Sequence, residues 1–244
     1  DPAEDVTLGP EHTCMLYTSG RIRCEGPVAL RQAPEGRFLQ LDAGARHTCA
    51  IRRGGAIECW GDPAAEDPPE RPATQVRVGG ALACALHEGE APSCWALGEG
   101  PTPRPPSGLG PVAALDVGDA QACAIETQGG ALRCWGVGPI TEGAPEQGGW
   151  AQVAVGPSFA CALDAQGAIR CWGDAPEEGP PEADGFEELA VGREHACARQ
   201  GAEVTCWGAG EQGQTRAPDV SARAVRAAGT RSCVLDADGV PRFF

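Results

Sequence analysis

Thirteen cysteines are the residues of this 244-residue sequence with the most obvious capacity for chemistry. Twelve form six pairs whose members lie nine to eleven residues apart, and one stands alone. Structural zinc sites place cysteines roughly two to four residues apart, a spacing that does not occur here. We therefore interpret the pairs as disulfides in preference to metal ligands or free thiols. The predicted disulfides are Cys14–Cys24, Cys49–Cys59, Cys84–Cys94, Cys123–Cys134, Cys161–Cys171 and Cys197–Cys206, and Cys233 is the predicted free thiol.

A chain with this many disulfides needs an oxidising compartment. We expect an exported protein that is secreted, periplasmic or held at the cell surface. The sequence begins at Asp1 without a signal peptide, as a mature exported protein or a trimmed one would. A lipid anchor upstream of Asp1 is compatible with this interpretation. The sequence has no apolar run of about 18 residues, so no membrane-spanning segment is expected.

Charge and motifs restrict the partners further. The formal net charge is −15, and all 19 basic side chains are arginines. Nucleic acids and anionic membranes are bound mainly through basic patches, so neither is expected as a partner. The sequence contains no G-x-S-x-G, no H-E-x-x-H and no phosphate-binding glycine motif. We therefore expect no catalytic residues, no metal and no cofactor, and we expect a monomer that binds a protein partner.

The cysteine pairs belong to a repeat. The first cysteines of successive units lie 35, 35, 39, 38, 36 and 36 residues apart, a period typical of solenoids and propellers. Each unit has an alternating apolar segment ending in Gly, a polar turn, a Cys strand, a Gly turn and a second Cys strand. The fold class predicted is all-β, a single domain of seven blades of about 36 residues with one hairpin disulfide in most blades. The predicted blades are 1–34, 35–70, 71–108, 109–146, 147–182, 183–218 and 219–244.

The hairpin register follows from the fifth unit, "CALDAQGAIRCWG". Placing Cys161 opposite Cys171 leaves a three-residue loop that ends in Gly167, a common site for a left-handed glycine. In the one shortened unit the same pairing leaves a two-residue loop that begins with Gly201, as a type II′ turn requires. The glycine moves when the loop length changes, which supports cross-strand pairing of the cysteines.

The tryptophan that follows the second cysteine obeys the same register. Trp172 lies opposite Ala160, and a small residue faces Trp in the other units too. In a radial stack both faces of a blade contact neighbouring blades, so both must be filled. We interpret these tryptophans as packing between blades in preference to a ligand site. They are Trp60, Trp95, Trp135, Trp172 and Trp207.

The unit "VAVGPSFACALDAQGAIRCWG" resembles the regulator of chromosome condensation repeat, whose pattern is V-x-x-G-x-x-H-x-x-x-L-x-x-x-G-x-x-x-x-W-G. His12, His47 and His195 stand where this unit has Phe159. The resemblance covers essentially the whole chain and implies a seven-bladed β-propeller. The short units look most like the exported bacterial members of the family, and this implies a protein-binding role. Nucleotide exchange and chromatin binding, known from nuclear members, are not expected of so acidic a chain.

The first and last units depart from the pattern. In the first unit, Cys24 is followed by Glu25 in place of Trp. In the last unit, Phe243 stands where the second Cys should be, and Phe244 stands where Trp should be. Terminal repeats are often atypical, and these two units must meet to close a ring. We expect Phe243 and Phe244 to supply packing at that closure.

The three histidines at the shared repeat position could suggest a metal site or proton transfer. The other four units hold Leu82, Gln121, Phe159 and Arg231 there, and a site built by symmetry would not tolerate Leu and Phe. We therefore interpret the three histidines as hydrogen-bonded structural residues.

The turns before each first cysteine vary most between units, so they could present different contacts around one face. Our candidate contact residues in these turns are Arg46, Arg193 and Arg231, because Arg is enriched at interface hot spots, followed by Phe159. The favoured function is an exported protein–protein interaction module, binding or inhibitory. Two alternatives remain: an enzyme of lyase or hydrolase type with its site at the axial face, and a purely structural module of an envelope assembly.

Overall fold

The computed structural model describes residues 1–62, 66–98, 102–145 and 148–244, and it consists of seven three-stranded antiparallel sheets. Each sheet contains three consecutive strands, so each repeat forms one blade. The first strand of every blade contacts the first strand of the next, and the first strand of the seventh blade contacts that of the first. The ring is closed in this way, which confirms the predicted seven-bladed β-propeller.

The strands are short and regularly spaced along the chain. The first four blades contain β1 (Ala3–Leu8), β2 (Thr13–Tyr17) and β3 (Ile22–Glu25); β4 (Phe38–Ala43), β5 (His47–Arg52) and β6 (Ile57–Gly61); β7 (Gln75–Val78), β8 (Leu82–Leu86) and β9 (Ser93–Ala96); β10 (Val112–Val117), β11 (Gln121–Glu126) and β12 (Leu132–Gly136). The last three contain β13 (Trp150–Val155), β14 (Phe159–Asp164) and β15 (Ile169–Gly173); β16 (Glu188–Val191), β17 (His195–Gln200) and β18 (Glu203–Gly208); β19 (Ala222–Ala228), β20 (Arg231–Asp236) and β21 (Pro241–Phe243).

Two single-turn helices, α1 (Val28–Arg31) and α2 (Pro139–Glu142), lie in the connections that follow the first and fourth blades. Among the helices of the described residues, none has the length and apolar character needed to span a membrane.

The hairpins have the predicted register. Cys161 pairs with Cys171, and Leu163 with Ile169. Gly167 ends the loop with φ of +81°, a conformation that favours glycine because it has no Cβ. All six predicted disulfides are present, and each joins directly opposed strand residues with Cα–Cα distances of 4.0 to 4.1 Å. Each one fixes the second strand of a blade to the third.

Neighbouring blades pack by a repeated exchange of side chains. Between the second and third blades, Cys49 and Ile51 contact Trp95, while between the fifth and sixth, Cys161 and Leu163 contact Trp207. The disulfide face of one blade therefore packs on the tryptophan face of the next. Each Trp lies opposite a small residue in its own blade, as Trp172 does opposite Ala160. This is the inter-blade packing that the sequence predicts.

A glycine ends most of the inner strands because the blades converge there. A Cβ on Gly79 would overlap the carbonyl oxygen of Gly118, and a Cβ on Gly118 would overlap that of Gly156. Backbone hydrogen bonds also join neighbouring blades at this position. The Ala45 amide donates to the Gly79 carbonyl oxygen over 3.3 Å, and the Gly80 amide donates to the Gly118 carbonyl oxygen over 3.4 Å. Close approach of backbones, rather than turn geometry, requires glycine at this position.

Replacing Gly79 with Ala should therefore destabilise the propeller. We expect the free energy of unfolding to fall by about 2 kcal/mol or more, because two backbones must separate to admit the methyl group. Denaturant titration followed by circular dichroism measures this. The matched control is Gly110→Ala, where the added Cβ meets open space. Equal stability of the two variants would contradict the close-approach explanation.

Candidate functional site

Two features of the propeller could hold a partner or ligand. The first is an axial cavity of about 790 Å³, lined by the inner strands of all seven blades. The second, which we call the turn face, is the end of the propeller that carries the turns between the first and second strands. The turn face comprises the exposed and half-buried residues 10–11, 45–46, 80–81, 119–120, 157–158, 193–194 and 229–231.

Charged side chains in the axial cavity form two carboxylate–arginine–carboxylate groups. In the first, Arg226 donates from Nη2 to Asp5 Oδ1 over 2.7 Å and from Nη1 to Glu188 Oε1 over 2.5 Å. In the second, Arg77 Nε lies 3.5 Å from Asp116 Oδ1, and the positive charge of Arg77 also lowers the pKa of Asp42. Each group brings together side chains of three blades.

Polar side chains of the axial cavity also form hydrogen bonds with the backbone of neighbouring inner strands. Asp42 accepts the Val78 amide proton over 2.7 Å. Gln152 forms two bonds with one residue of the next blade, since its Oε1 accepts from the Leu189 amide over 3.0 Å and its Nε2 donates to the Leu189 carbonyl over 3.1 Å. The Gln152 side-chain amide therefore makes the two hydrogen bonds that a peptide group of an adjacent strand would make with Leu189. The polar lining is therefore part of the junction between blades.

Burial perturbs the ionisation of these groups. It raises the pKa of Asp42, and the positive charge of Arg77 opposes that rise. Burial also raises the pKa of Asp116 to about 7, with a further rise from the charge of Asp42. For Arg226, burial lowers the pKa, but the carboxylates of Asp5 and Glu188 outweigh it and raise the value overall.

The repeat-position histidines lie between blades. His12 Nε2 lies 2.8 Å from Thr48 Oγ1, and His195 Nε2 lies 2.8 Å from Ser232 Oγ. Burial lowers the pKa of both histidines to about 4, so they are neutral at pH 7. His47 differs because the next blade offers Ala83 in place of a hydroxyl, and its ring nitrogens have no hydrogen-bond partner among the described residues. Nor do the described residues contain a group of three or more His, Cys, Asp or Glu side chains that could hold a metal ion.

The four candidate contact residues have different environments. Arg46 and Arg193 are exposed on the turn face, and Arg46 forms a 3.2 Å ion pair with Asp62. Arg231 is half-buried, with Nη2 3.1 Å from Thr13 Oγ1 and its guanidinium 5.5 Å from the centre of the Phe243 ring.

Phe159 requires a correction, because its side chain is 0% exposed and packs in the interface between the fifth and sixth blades. Phe159 is the first residue of β14, and its ring points into this interface. Phe159 therefore cannot form a contact surface.

Sequence reasoning missed the polar residues of the inner strands. Gln40, Gln75 and Gln152 occupy one repeat position, four before the glycine, and Asp42 and Asp116 occupy another, two before it. A repeated polar residue inside an apolar alternating segment is the signal that could have revealed them. The hydrogen-bond partners of these side chains could not be predicted from the repeat, because they lie in the backbone of the next blade.

Comparisons with known proteins agree with this architecture. Residues 150–177 match the Regulator of chromosome condensation (RCC1) repeat. A search of curated proteins found no match. Among solved structures, the ectodomain of the Physcomitrella patens receptor kinase CR4 aligns over 100% of this chain and 74% of its own length, with TM-score 0.85 and 18% identity.

Two further structures have the same fold. The CRINKLY WD40 ectodomain of the Arabidopsis thaliana receptor kinase ACR4 aligns over 100% of this chain and 95% of its own length, with TM-score 0.80 and 18% identity. Prp20p from Saccharomyces cerevisiae aligns over 92% of this chain and 80% of its own length, with TM-score 0.73 and 16% identity. The chain is a seven-bladed β-propeller. Its fifth blade is a regulator of chromosome condensation repeat, as the sequence resemblance predicted.

Loss of the Gln152 side chain should weaken the junction between the fifth and sixth blades. We expect Gln152→Ala to lower the free energy of unfolding by about 1–3 kcal/mol, because a backbone amide and a carbonyl lose their partners. Gln75→Ala is the matched control, since Gln75 occupies the same repeat position but its side chain forms no hydrogen bond to the next blade within the part of the chain that the structure describes. Denaturant titration of the two variants gives the comparison, and equal losses would contradict the role assigned to the side-chain amide.

Asp116 should make stability depend on pH. Its pKa is about 7 in the folded chain against a reference value of 3.8, so between these values the folded chain retains a proton that the unfolded chain has released. Stability contributed by this group is therefore lost as the pH rises from about 4 to about 7. Asp116→Asn should remove this pH dependence. As the pH rises through this range, the free energy of unfolding of the variant should increase by at least about 1 kcal/mol relative to that of the wild type. Chemical denaturation at several pH values tests this, and parallel profiles would contradict it.

Proposed function

We propose that this chain is an exported protein-binding propeller whose contact surface is the turn face. The observation that carries the proposal is a constant backbone with varied side chains. In six of the seven turns the inner-strand glycine donates its amide proton to the carbonyl of the third residue after it, over 2.8 to 2.9 Å. The two residues between them are exposed or half-buried. They are Pro10-Glu11, Ala45-Arg46, Gly80-Ala81, Asp119-Ala120, Pro157-Ser158 and Arg193-Glu194.

Such an arrangement suits recognition of a protein surface. A rigid scaffold holds each turn in place, so little conformational entropy is lost when a partner binds. The turns together span the end of the ring, and their charge differs between blades: Glu11 and Asp119 are acidic, and Arg46 is basic. Within this surface Arg46 and Arg193 are the proposed contacts, because both are exposed and Arg is well suited to anchor an interface. Arg231 contributes less, since it already contacts the first blade.

The structures similar to this chain support protein binding outside or inside cells. Two are receptor-kinase ectodomains. The Prp20p structure was described with its binding properties to Gsp1p and histones, and yeast RCC1 (Prp20) was solved bound to Kap60. For this chain an extracellular or periplasmic location is favoured by its six disulfides, which persist under oxidising conditions. The cysteines of the hairpins are largely buried, so the disulfides serve the framework and not the contact surface.

The axial cavity is the observation that favours the alternative of an enzyme. It contains carboxylates, and the pKa of Asp116 is close to neutral. These groups are engaged, however: Asp116 Oδ2 accepts the Val155 amide proton over 2.6 Å while Oδ1 faces Arg77. A carboxylate that joins three blades is poorly placed to exchange protons with a substrate. Protein binding is therefore the favoured function.

The proposal is tested with a pair of variants in one blade. Arg46 and Arg53 lie immediately beyond opposite ends of β5 (His47–Arg52), and both are exposed. Arg46→Glu and Arg193→Glu should each weaken binding of a partner isolated from the protein's own extracellular or periplasmic milieu by tenfold or more, whereas Arg53→Glu should leave it unchanged. Surface plasmon resonance of the purified pair measures this. Equal affinity of all variants would remove the turn face as the contact surface.

A further inference from the structure

The interface between the seventh and first blades, which we call the closing interface, differs in its apolar packing from the other six. Every other interface combines the disulfide of one blade with the aromatic residue that follows the second cysteine position of the next. At the closing interface the seventh blade presents Cys233 without a disulfide, and the first blade has exposed Glu25 at the Trp position. The closing interface lacks both parts of the repeated packing.

Arginine contacts cross the closing interface beside a buried aliphatic cluster that includes Val6, Leu8 and Leu235. Arg226 Nη2 donates to Asp5 Oδ1 over 2.7 Å, and Arg231 Nη2 donates to Thr13 Oγ1 over 3.1 Å. Arg223 also donates to the carbonyl of Ala3. The Arg226 and Asp5 side chains remain 31% and 29% exposed, so dissolved salt screens their attraction.

The outer strand of the seventh blade is also less firmly attached than the outer strands of the other blades. This strand, β21 (Pro241–Phe243), has three residues and pairs with β20 (Arg231–Asp236) at three positions. The covalent link present in the six other blades is absent, and Phe243 occupies the cysteine position with about half of its surface exposed. Local opening favours segments that combine few buried apolar contacts with exposed polar ones.

We propose that the ring opens reversibly at the closing interface, under the control of ionic strength, while the other blades remain folded. Opening separates β19 (Ala222–Ala228) from β1 (Ala3–Leu8) and breaks the contacts of the three arginines. High salt shifts the equilibrium toward the open ring because it weakens the Arg226–Asp5 ion pair, and the closing interface has no disulfide and aromatic packing to compensate for that loss. The device lies in the fold itself and does not depend on the function of the turn face.

Cys233 supplies a reporter for this opening. Its side chain is 0% exposed in the closed ring, in a cluster with Val6 and Leu8 of the first blade. Burial raises its pKa to about 12, so the thiol is unreactive while the ring is closed. The other twelve cysteines are all in disulfides. Labelling of the native protein by N-ethylmaleimide therefore reports exposure of one known position.

The experiment compares the labelling rate of three variants with that of the wild type. Asp5→Asn removes the charge that Arg226 meets across the closing interface and should accelerate labelling about tenfold. Glu25→Trp gives the first blade the Cys-Trp-Gly motif found in four other blades, with the new Trp opposite Thr13, and should slow labelling. Gln152→Ala weakens the distant junction between the fifth and sixth blades and should leave the rate unchanged. In the wild type, 1 M NaCl should accelerate labelling, and in Asp5→Asn this salt effect should shrink.

The outcomes separate local opening from global unfolding. Equal acceleration by Asp5→Asn and Gln152→Ala, or a labelling rate with the same denaturant dependence as the circular dichroism transition, would show that Cys233 is exposed only by global unfolding and would overturn the proposal. A salt-independent rate would overturn it as well. If Glu25→Trp does not fold, the comparison of Asp5→Asn with Gln152→Ala at low and high salt decides the question.

Discussion

The ring depends on how the inner strand of each blade satisfies the edge that it presents to the next blade. That edge carries backbone amides and carbonyls, and burying them without partners would be costly. No strand of the neighbouring sheet pairs with it, because every sheet is complete within its own repeat. Side chains take over this role: Gln152 pairs with both backbone groups of Leu189, and Asp42 accepts from the Val78 amide. The seven sheets therefore become one ring through polar bonds close to the axis.

This constraint explains why the axial cavity is polar without being an evident active site. Its carboxylates and amides point toward the axis because they lie on inner strands, yet Asp42, Asp116 and Gln152 among them bond to the backbone of the next blade. Asp116 contacts the third blade through Arg77 and the fifth through the Val155 amide. Away from the axis, disulfides and tryptophans perform the same task by apolar packing. The exposed residues of the turn face do not have to join blades, so their side chains can vary, and this suits them to recognition of a partner.

The contrast between polar contacts near the axis and apolar packing away from it also distinguishes the two terminal blades from the rest. A disulfide joins two strands of one blade, so it cannot link the last blade to the first across the ring. The chain closes the ring with Arg223, Arg226 and Arg231, whose contacts lie about 220 residues away in sequence. The prediction that Phe243 and Phe244 pack at the closure of the ring is wrong. Phe244 packs instead against the sixth blade, and Phe243 lies beneath Arg231 with its ring half exposed.

Periodicity and local pairing allowed the sequence by itself to determine the seven blades, the hairpin register, the six disulfides and the tryptophan packing. Cys161 and Cys171 are ten residues apart, and one turn with Gly167 fixes their relation. Only the tertiary structure decided that Phe159 is buried, that glutamines and aspartates bridge the blades, and that the closing interface lacks both disulfide and tryptophan. These features depend on contacts between different repeats, where the positions facing each other are set by how the blades rotate about the axis. Local sequence patterns carry no information about that rotation.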